Sequence, residues 1–252
     1  MPMPVEAALW GLLSGSALVI GAVLGFFLKL PQRLVASVMA LGSGVLISAV
    51  AFDLMDEAFQ QAGFGPAATG FVTGAVLYTL ANIVVSRQGA RHRMRSGSDP
   101  KERQMDAAAG GGLVLAIGAL LDGVPESVVI GVSLLDGTGV SIATVAAVFL
   151  SNVPEGLSSS AGMRRAGRSA GYVFAVWGGI ALASGVAAFV GNWALASADP
   201  AVLAIVTALA AGAILAMIAD SMIPEAFETT HEFTGLIAAS GFLAAFALTK
   251  LA

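Results

Sequence analysis

The chain has 252 residues, of which 57% are hydrophobic and only 11% are charged, with a formal net charge of −4. A soluble domain carries about 25% charged residues, and a fold of this size cannot hide so much apolar surface from water, so the composition excludes a soluble protein and selects a bilayer as solvent. The absence of cysteine excludes disulfides and thiolate metal ligands.

Apolar runs of about 20 residues, the length a spanning helix needs, recur along the chain. They predict an all-α polytopic membrane protein with eight transmembrane helices, over roughly 6–28, 34–59, 67–86, 107–134, 139–162, 170–194, 201–228 and 233–250. No Lys or Arg precedes the first run, so it reads as a span and not as a cleavable signal peptide. Leu30-Pro31-Gln32, Gly63-Phe64-Gly65-Pro66, Asp136-Gly137-Thr138-Gly139 and Asp199-Pro200 punctuate the runs. The longest polar stretch, 87–106, holds Arg87, Arg91, Arg93, Arg95, Lys101 and Arg103 and predicts a loop between helices three and four. With eight spans and the N-terminus outside, the inner loops collect these six together with Lys29, Arg33, Arg164, Arg165 and Arg168, and only Lys250 lies outside. The positive-inside rule then puts both termini outside and the loop in the cytoplasm. The chain forms one transmembrane domain, 1–252, expected in the plasma membrane.

Short motifs repeat. Val124-Pro125-Glu126 of helix four returns as Val153-Pro154-Glu155 in helix five, and Glu57-Ala58-Phe59 of helix two as Glu225-Ala226-Phe227 in helix seven, with Gly44 and Gly212 at the same offset. In each pair the two helices cross in opposite directions, which predicts inverted repeats with a polar site between them.

Ionisable groups within a span cost roughly 2.5–3.5 kcal/mol each on insertion scales, so those retained point to function. Asp122 and Glu126 are four residues apart, on one face of helix four near mid-span. On helix five, Ser151 and Asn152 precede Glu155 by four and three residues and share its face. Pro125 and Pro154 lack an N–H, which frees the carbonyls of Leu121 and Leu150, and freed carbonyls are tolerated at membrane depth where they line a cavity. No Lys or Arg lies in the central part of any span. The carboxylates are therefore protonated or compensated by a cation, and a divalent ion ringed by oxygen ligands fits them. The predicted core site is Asp122, Glu126, Ser151, Asn152 and Glu155. Asp53 near the outer end of helix two, and Asp220 and Glu225 near the inner end of helix seven, read either as vestibules that attract cations or as interface residues. Asp56, Glu57 and Glu228 read as solvated interface residues. His92 sits in the basic loop, and His231 beside Glu228 and Glu232 reads as a loop residue or a weak inner metal site. The basic loop fixes topology and can touch anionic lipid. Without interleaved aromatics it gives no sign of nucleic-acid binding.

The paired Pro-Glu motifs on helices four and five, the eight-span plan with both ends out, the long loop after helix three, Gly42-Ser43-Gly44-Val45-Leu46 and Ile223-Pro224-Glu225-Ala226 resemble the ZIP (Zrt-, Irt-like protein) family of metal transporters over nearly the whole chain. The resemblance implies a metal site between helices four and five, import of zinc, iron or manganese into the cytoplasm, a homodimer, and a block with helices four and five that slides against a scaffold with helices two and seven. It implies no prosthetic group and no enzyme activity, the metal being the cargo. Members of that family usually carry His and Asn where this chain has Asp122 and Gly123, Gly where it has Ser127, and His or Gln where it has Ser151. The nitrogen ligands are thus replaced by oxygen, which tilts the expected ion from zinc toward manganese or iron. Helix six carries no acidic residue for the second metal position of some members.

Two other classes compete. An intramembrane aspartyl protease would use two carboxylates, but its Tyr-Asp and Gly-x-Gly-Asp motifs are missing from this sequence. A proton-coupled carrier of a small organic substrate would keep the buried carboxylates and need a roomier pocket.

Overall fold

In the computed structural model, residues 1–28, 30–85, 87, 111–135, 139–140, 142–165 and 167–251 are described. The basic segment 88–106 with His92, the start of predicted helix four at 107–110 and most of the Asp136-Gly137-Thr138-Gly139 break lie outside them. The described residues are almost wholly helical and include no strand. In chain order the helices are α1 (Met3–Phe27), α2 (Gln32–Ala49, a π-helical turn Val50–Leu54, then Met55–Ala62), α3 (Phe64–Val85), α4 (Gly111–Ser133), α5 (Ile142–Arg165), α6 (Ala170–Leu195), α7 (Pro200–Met217, a π-helical turn Ile218–Met222, then Ile223–Thr230) and α8 (Thr234–Leu251). A short 3₁₀ turn, His231–Phe233, joins α7 to α8.

Local chemistry sets the boundaries. α1 ends where Leu28 turns extended, and Pro31 stands at the N-cap of α2. Gly63, at φ +77, closes α2. The break predicted over Gly63-Phe64-Gly65-Pro66 shrinks to that glycine: α3 starts at Phe64, because a proline in the first turn of a helix has no N–H partner to lose. Gly167, at φ +78, follows α5, with Gly167 N donating to Arg164 O and Arg168 N to Met163 O, a Schellman end. The Ser169 hydroxyl caps α6 by accepting from Tyr172 N at 3.3 Å. Pro125 and Pro154 sit inside α4 and α5, and both helices run on through them.

Five helical stretches among the described residues are long and apolar enough to cross a membrane: Met3–Phe27, Gln32–Ala62, Phe64–Val85, Ala170–Leu195 and Pro200–Lys250, the last holding α7 and α8. The side chains sort as a bilayer demands. Large apolar groups such as Leu13, Val72, Val76, Leu80, Val186 and Leu243 point outward, while Ala, Gly and Ser fill much of the interior. The chain is a multi-pass membrane protein by this architecture. α4 and α5, the helices with the acidic motifs, are outside that set of five. Their polar residues are turned into the bundle: Asp122, Glu126, Ser127, Ser151, Asn152, Glu155 and Ser158 are all buried.

The main core draws Met39, Leu46 and Val50 from α2, Tyr78 from α3, Val129 from α4, Ala147 from α5, and Ala211, Ile214 and Met217 from α7. Close approaches set helix directions. α1 runs parallel to α5 (Gly21 on Val153, Gly25 on Leu157), α3 to α7 (Gly70 on Ile205, Gly74 on Leu209), α4 to α6 (Gly123 on Ser184, Gly131 on Ala188) and α2 to α8 (Gly241 on Leu41, Phe52 on Phe246). α1 and α6 are antiparallel, with Gly11 on Ala188 and Gly15 on Ala181.

The halves correspond closely. Gln32–Ala49, Val50–Leu54 and Met55–Ala62 of α2 recur as Pro200–Met217, Ile218–Met222 and Ile223–Thr230 of α7, each bound 168 residues later. Gly63 and His231 close the two helices at the same offset, both at positive φ. Packing follows: a Cβ on Gly44 would overlap the Ala238 carbonyl of α8, and one on Gly212 the Phe71 carbonyl of α3. The repeat of Glu57-Ala58-Phe59 as Glu225-Ala226-Phe227 is the visible part of this longer correspondence.

Candidate cation site

Asp122 and Glu126 lie in the interior, 2% and 3% exposed, close enough for their charges to repel. One helical turn separates them, as their spacing dictates. The Tyr78 hydroxyl of α3 donates a 3.0 Å hydrogen bond to Asp122 Oδ1, which holds that carboxylate toward the α3 side. Ser127 donates to Gly123 O at 2.7 Å on its own helix. It is thus spent on the backbone just before the proline.

On α5, the backbone of Ser151 packs against α2: a Cβ on Gly42 would meet Ser151 Cα at 3.4 Å. Its hydroxyl donates to Val148 O at 2.9 Å. Asn152 turns the other way and donates to Ser14 O of α1 at 3.1 Å, leaving its amide oxygen as the ligand-capable atom. Glu155 is 9% exposed. One turn further, Ser158 donates to Glu225 Oε1 of α7 at 3.1 Å, which ties the C-terminal half of α5 to α7.

Among the described residues no group of three or more His, Asp and Glu side chains is gathered tightly enough to hold a metal ion. The structure brings Asp122 to Glu126 and Tyr78, Asn152 to α1, and Ser158 to Glu225.

The outlying acidic residues divide. Asp53 sits in the π-helical turn of α2, half-buried, where the Thr249 hydroxyl bonds its carboxylate and the Lys250 ammonium attracts it. The same lysine lies over the Phe52 ring, 5.7 Å from its centroid. The compensation is partial, since Asp53 Oδ2 is buried with no hydrogen-bond partner among the described residues. Asp220, in the matching π-helical turn of α7, is exposed. Asp56 and Glu57 accept hydrogen bonds from Gln60 and Gln61 one turn on, at 2.8 and 3.0 Å. His231 stands edge-on to Phe227 at the end of α7.

Sequence reasoning missed Tyr78, Ser14 and Asn192. Tyr78 is a lone tyrosine in an apolar run, which reads as a membrane-interface residue, and its partner is 44 residues away. Ser14 contributes a backbone carbonyl, which every residue has. Asn192, 1% exposed, donates to Gly131 O of α4 at 2.9 Å. An asparagine inside an apolar run was the one available signal, since a buried amide needs a partner.

No family model and no curated protein matches this sequence.

Proposed function

We propose that the chain is a membrane transporter of divalent metal cations, of the ZIP type, that moves the ion into the cytoplasm through a carboxylate-lined site at mid-membrane. One observation carries the reading. Asp122, Glu126 and Glu155 are buried in the bundle, while the sequence has no Lys or Arg between Arg33 and Arg87, or between Arg103 and Arg164. Carboxylates buried at membrane depth and remote in sequence from any Lys or Arg are expensive, and a mobile cation is a compensation that also gives them work. All eight helices cross the plasma membrane with both termini outside, the arrangement in which neighbours alternate in direction and the basic residues collect on one side.

Asp122 and Glu126 offer the first oxygens to an ion that has shed part of its water, with the Asn152 amide oxygen and Ser151 hydroxyl to follow. Glu155 belongs to a different helix, and it joins the ion as α5 moves relative to α4. Glu225, bonded to Ser158, is the next acidic group inward. An oxygen-only ligand set favours manganese or iron over zinc. The protein acts as a homodimer without prosthetic group or catalytic residue.

The test is uptake into proteoliposomes across Mn²⁺, Fe²⁺, Zn²⁺, Mg²⁺, Ca²⁺ and Cd²⁺, with Glu126→Ala and the double variant Glu126→Ala/Glu155→Ala as controls. Saturable flux of one ion that both variants lose, with their fold intact, is the expected result. Wild-type flux in the double variant would remove the site assignment. No flux of any ion would turn attention to a proton-coupled carrier of an organic substrate or an intramembrane carboxylate enzyme.

A further inference from the structure

A second feature lies at the end of the bundle where α1 stops, α2 begins and α5 stops. A cavity of about 240 Å³ opens there, walled by Gly25, Leu28, Val35, Leu157 and Ala161, with Gln32, Arg164 and Arg165 at its polar side. Among the described residues no acidic one lines it. Arg164 is anchored: its guanidinium donates to Phe26 O and Leu28 O, the last carbonyls of α1, where a cation is favoured by the helix dipole. That bond fixes a positive charge at the rim. Arg165, the next residue, is exposed. Cavities that hold drug-sized molecules run to roughly 300–1,000 Å³, so this one suits a smaller, headgroup-sized guest. An apolar wall under two guanidinium groups matches a phosphate that carries or lies beside hydrocarbon, since guanidinium binds phosphate oxygens in pairs.

We propose that this cavity binds a phosphate-bearing anion, and that its occupant links the α1–α2 turn to α5. The site rests on the membrane architecture alone and stands whether or not the cargo is a metal ion. Leu157 in its wall is two residues from Glu155, so an occupant restrains the inner end of the helix that bears that carboxylate.

The experiment uses the purified full chain. Thermal denaturation and native mass spectrometry are run in phosphatidylcholine and in phosphatidylglycerol nanodiscs or mixed micelles, and separately with inorganic phosphate at millimolar concentration. Three variants accompany the wild type: Arg165→Gln removes a charge, Ala161→Phe fills the cavity and keeps both arginines, and Arg168→Gln removes a nearby charge outside the cavity. The expected result is a preference for phosphatidylglycerol that weakens about fivefold in Arg165→Gln, the effect of one basic residue at a lipid surface, is lost in Ala161→Phe, and persists in Arg168→Gln. Stabilisation by inorganic phosphate in wild type, lost in Ala161→Phe, would assign the same site to a soluble phosphate. Equal weakening in all three variants would reduce the effect to diffuse surface attraction, and no response to either ligand would remove the site. Either outcome overturns the proposal.

Discussion

At the scale of single residues, the interior carries more polar work than its hydropathy suggests. Tyr78 holds Asp122 from a neighbouring helix, so Tyr78→Phe removes the donor and leaves its ring in place. Loss of a partner to a buried polar group costs about 1–3 kcal/mol, and the expected outcome is a lower denaturation midpoint; an unchanged midpoint would show that the hydroxyl contributes nothing to the fold. His231 invites the opposite experiment. It ends α7 at φ +46, where Gly63 ends α2 at φ +77. A side chain held at positive φ costs about 1 kcal/mol or more, which glycine avoids. His231→Gly is therefore expected to raise the midpoint while leaving transport intact. A loss of metal uptake in that variant would restore the alternative, a weak metal ligand at the inner end.

At the scale of elements, close helix contact through glycine decides the packing. Gly44→Leu would push α8 from α2 at the Ala238 carbonyl, and overpacking of this kind costs about 1–3 kcal/mol. Gly178→Ala on α6 meets nothing within 4 Å and should gain about 1 kcal/mol from helix propensity. Unfolding of the two variants side by side separates contact from propensity. The elements were largely legible beforehand, because apolar runs bounded by Pro31, Gly63 and Pro200 state their own ends. Most differ by a few residues, and the Gly63-Phe64-Gly65-Pro66 break is shorter than expected because Pro66 stands in the first turn of α3 and not ahead of it. The two π-helical turns left no mark in the hydropathy, for an inserted residue changes hydrogen-bond register and not composition. The acidic residues were visible by type and spacing on α4 and α5. The pairings of Tyr78 with Asp122, Asn152 with Ser14 and Ser158 with Glu225 are not legible there, because contact between distant helices depends on rotation about each axis, which apolar runs leave undetermined.

At the scale of the whole molecule, the distribution of Lys and Arg predicts a sidedness for the bundle, with eight spans and both termini outside. The chain has no cysteine, so single replacements report topology without a background. Ser197→Cys between α6 and α7 is expected to react with an impermeant maleimide from outside intact cells, and Ser96→Cys only after permeabilisation. Reaction of both from one side would overturn the eight-span arrangement. The matching π-helical turns bear on history as well as mechanics. Such a turn holds one residue more than a regular helix would, and here the surplus falls at the same count in α2 and α7. Independent origins would require two insertions at equivalent positions of the two helices. A single insertion in an ancestral three-helix unit, copied when that unit was duplicated, requires one. The surplus residue is then older than the chain that carries it twice.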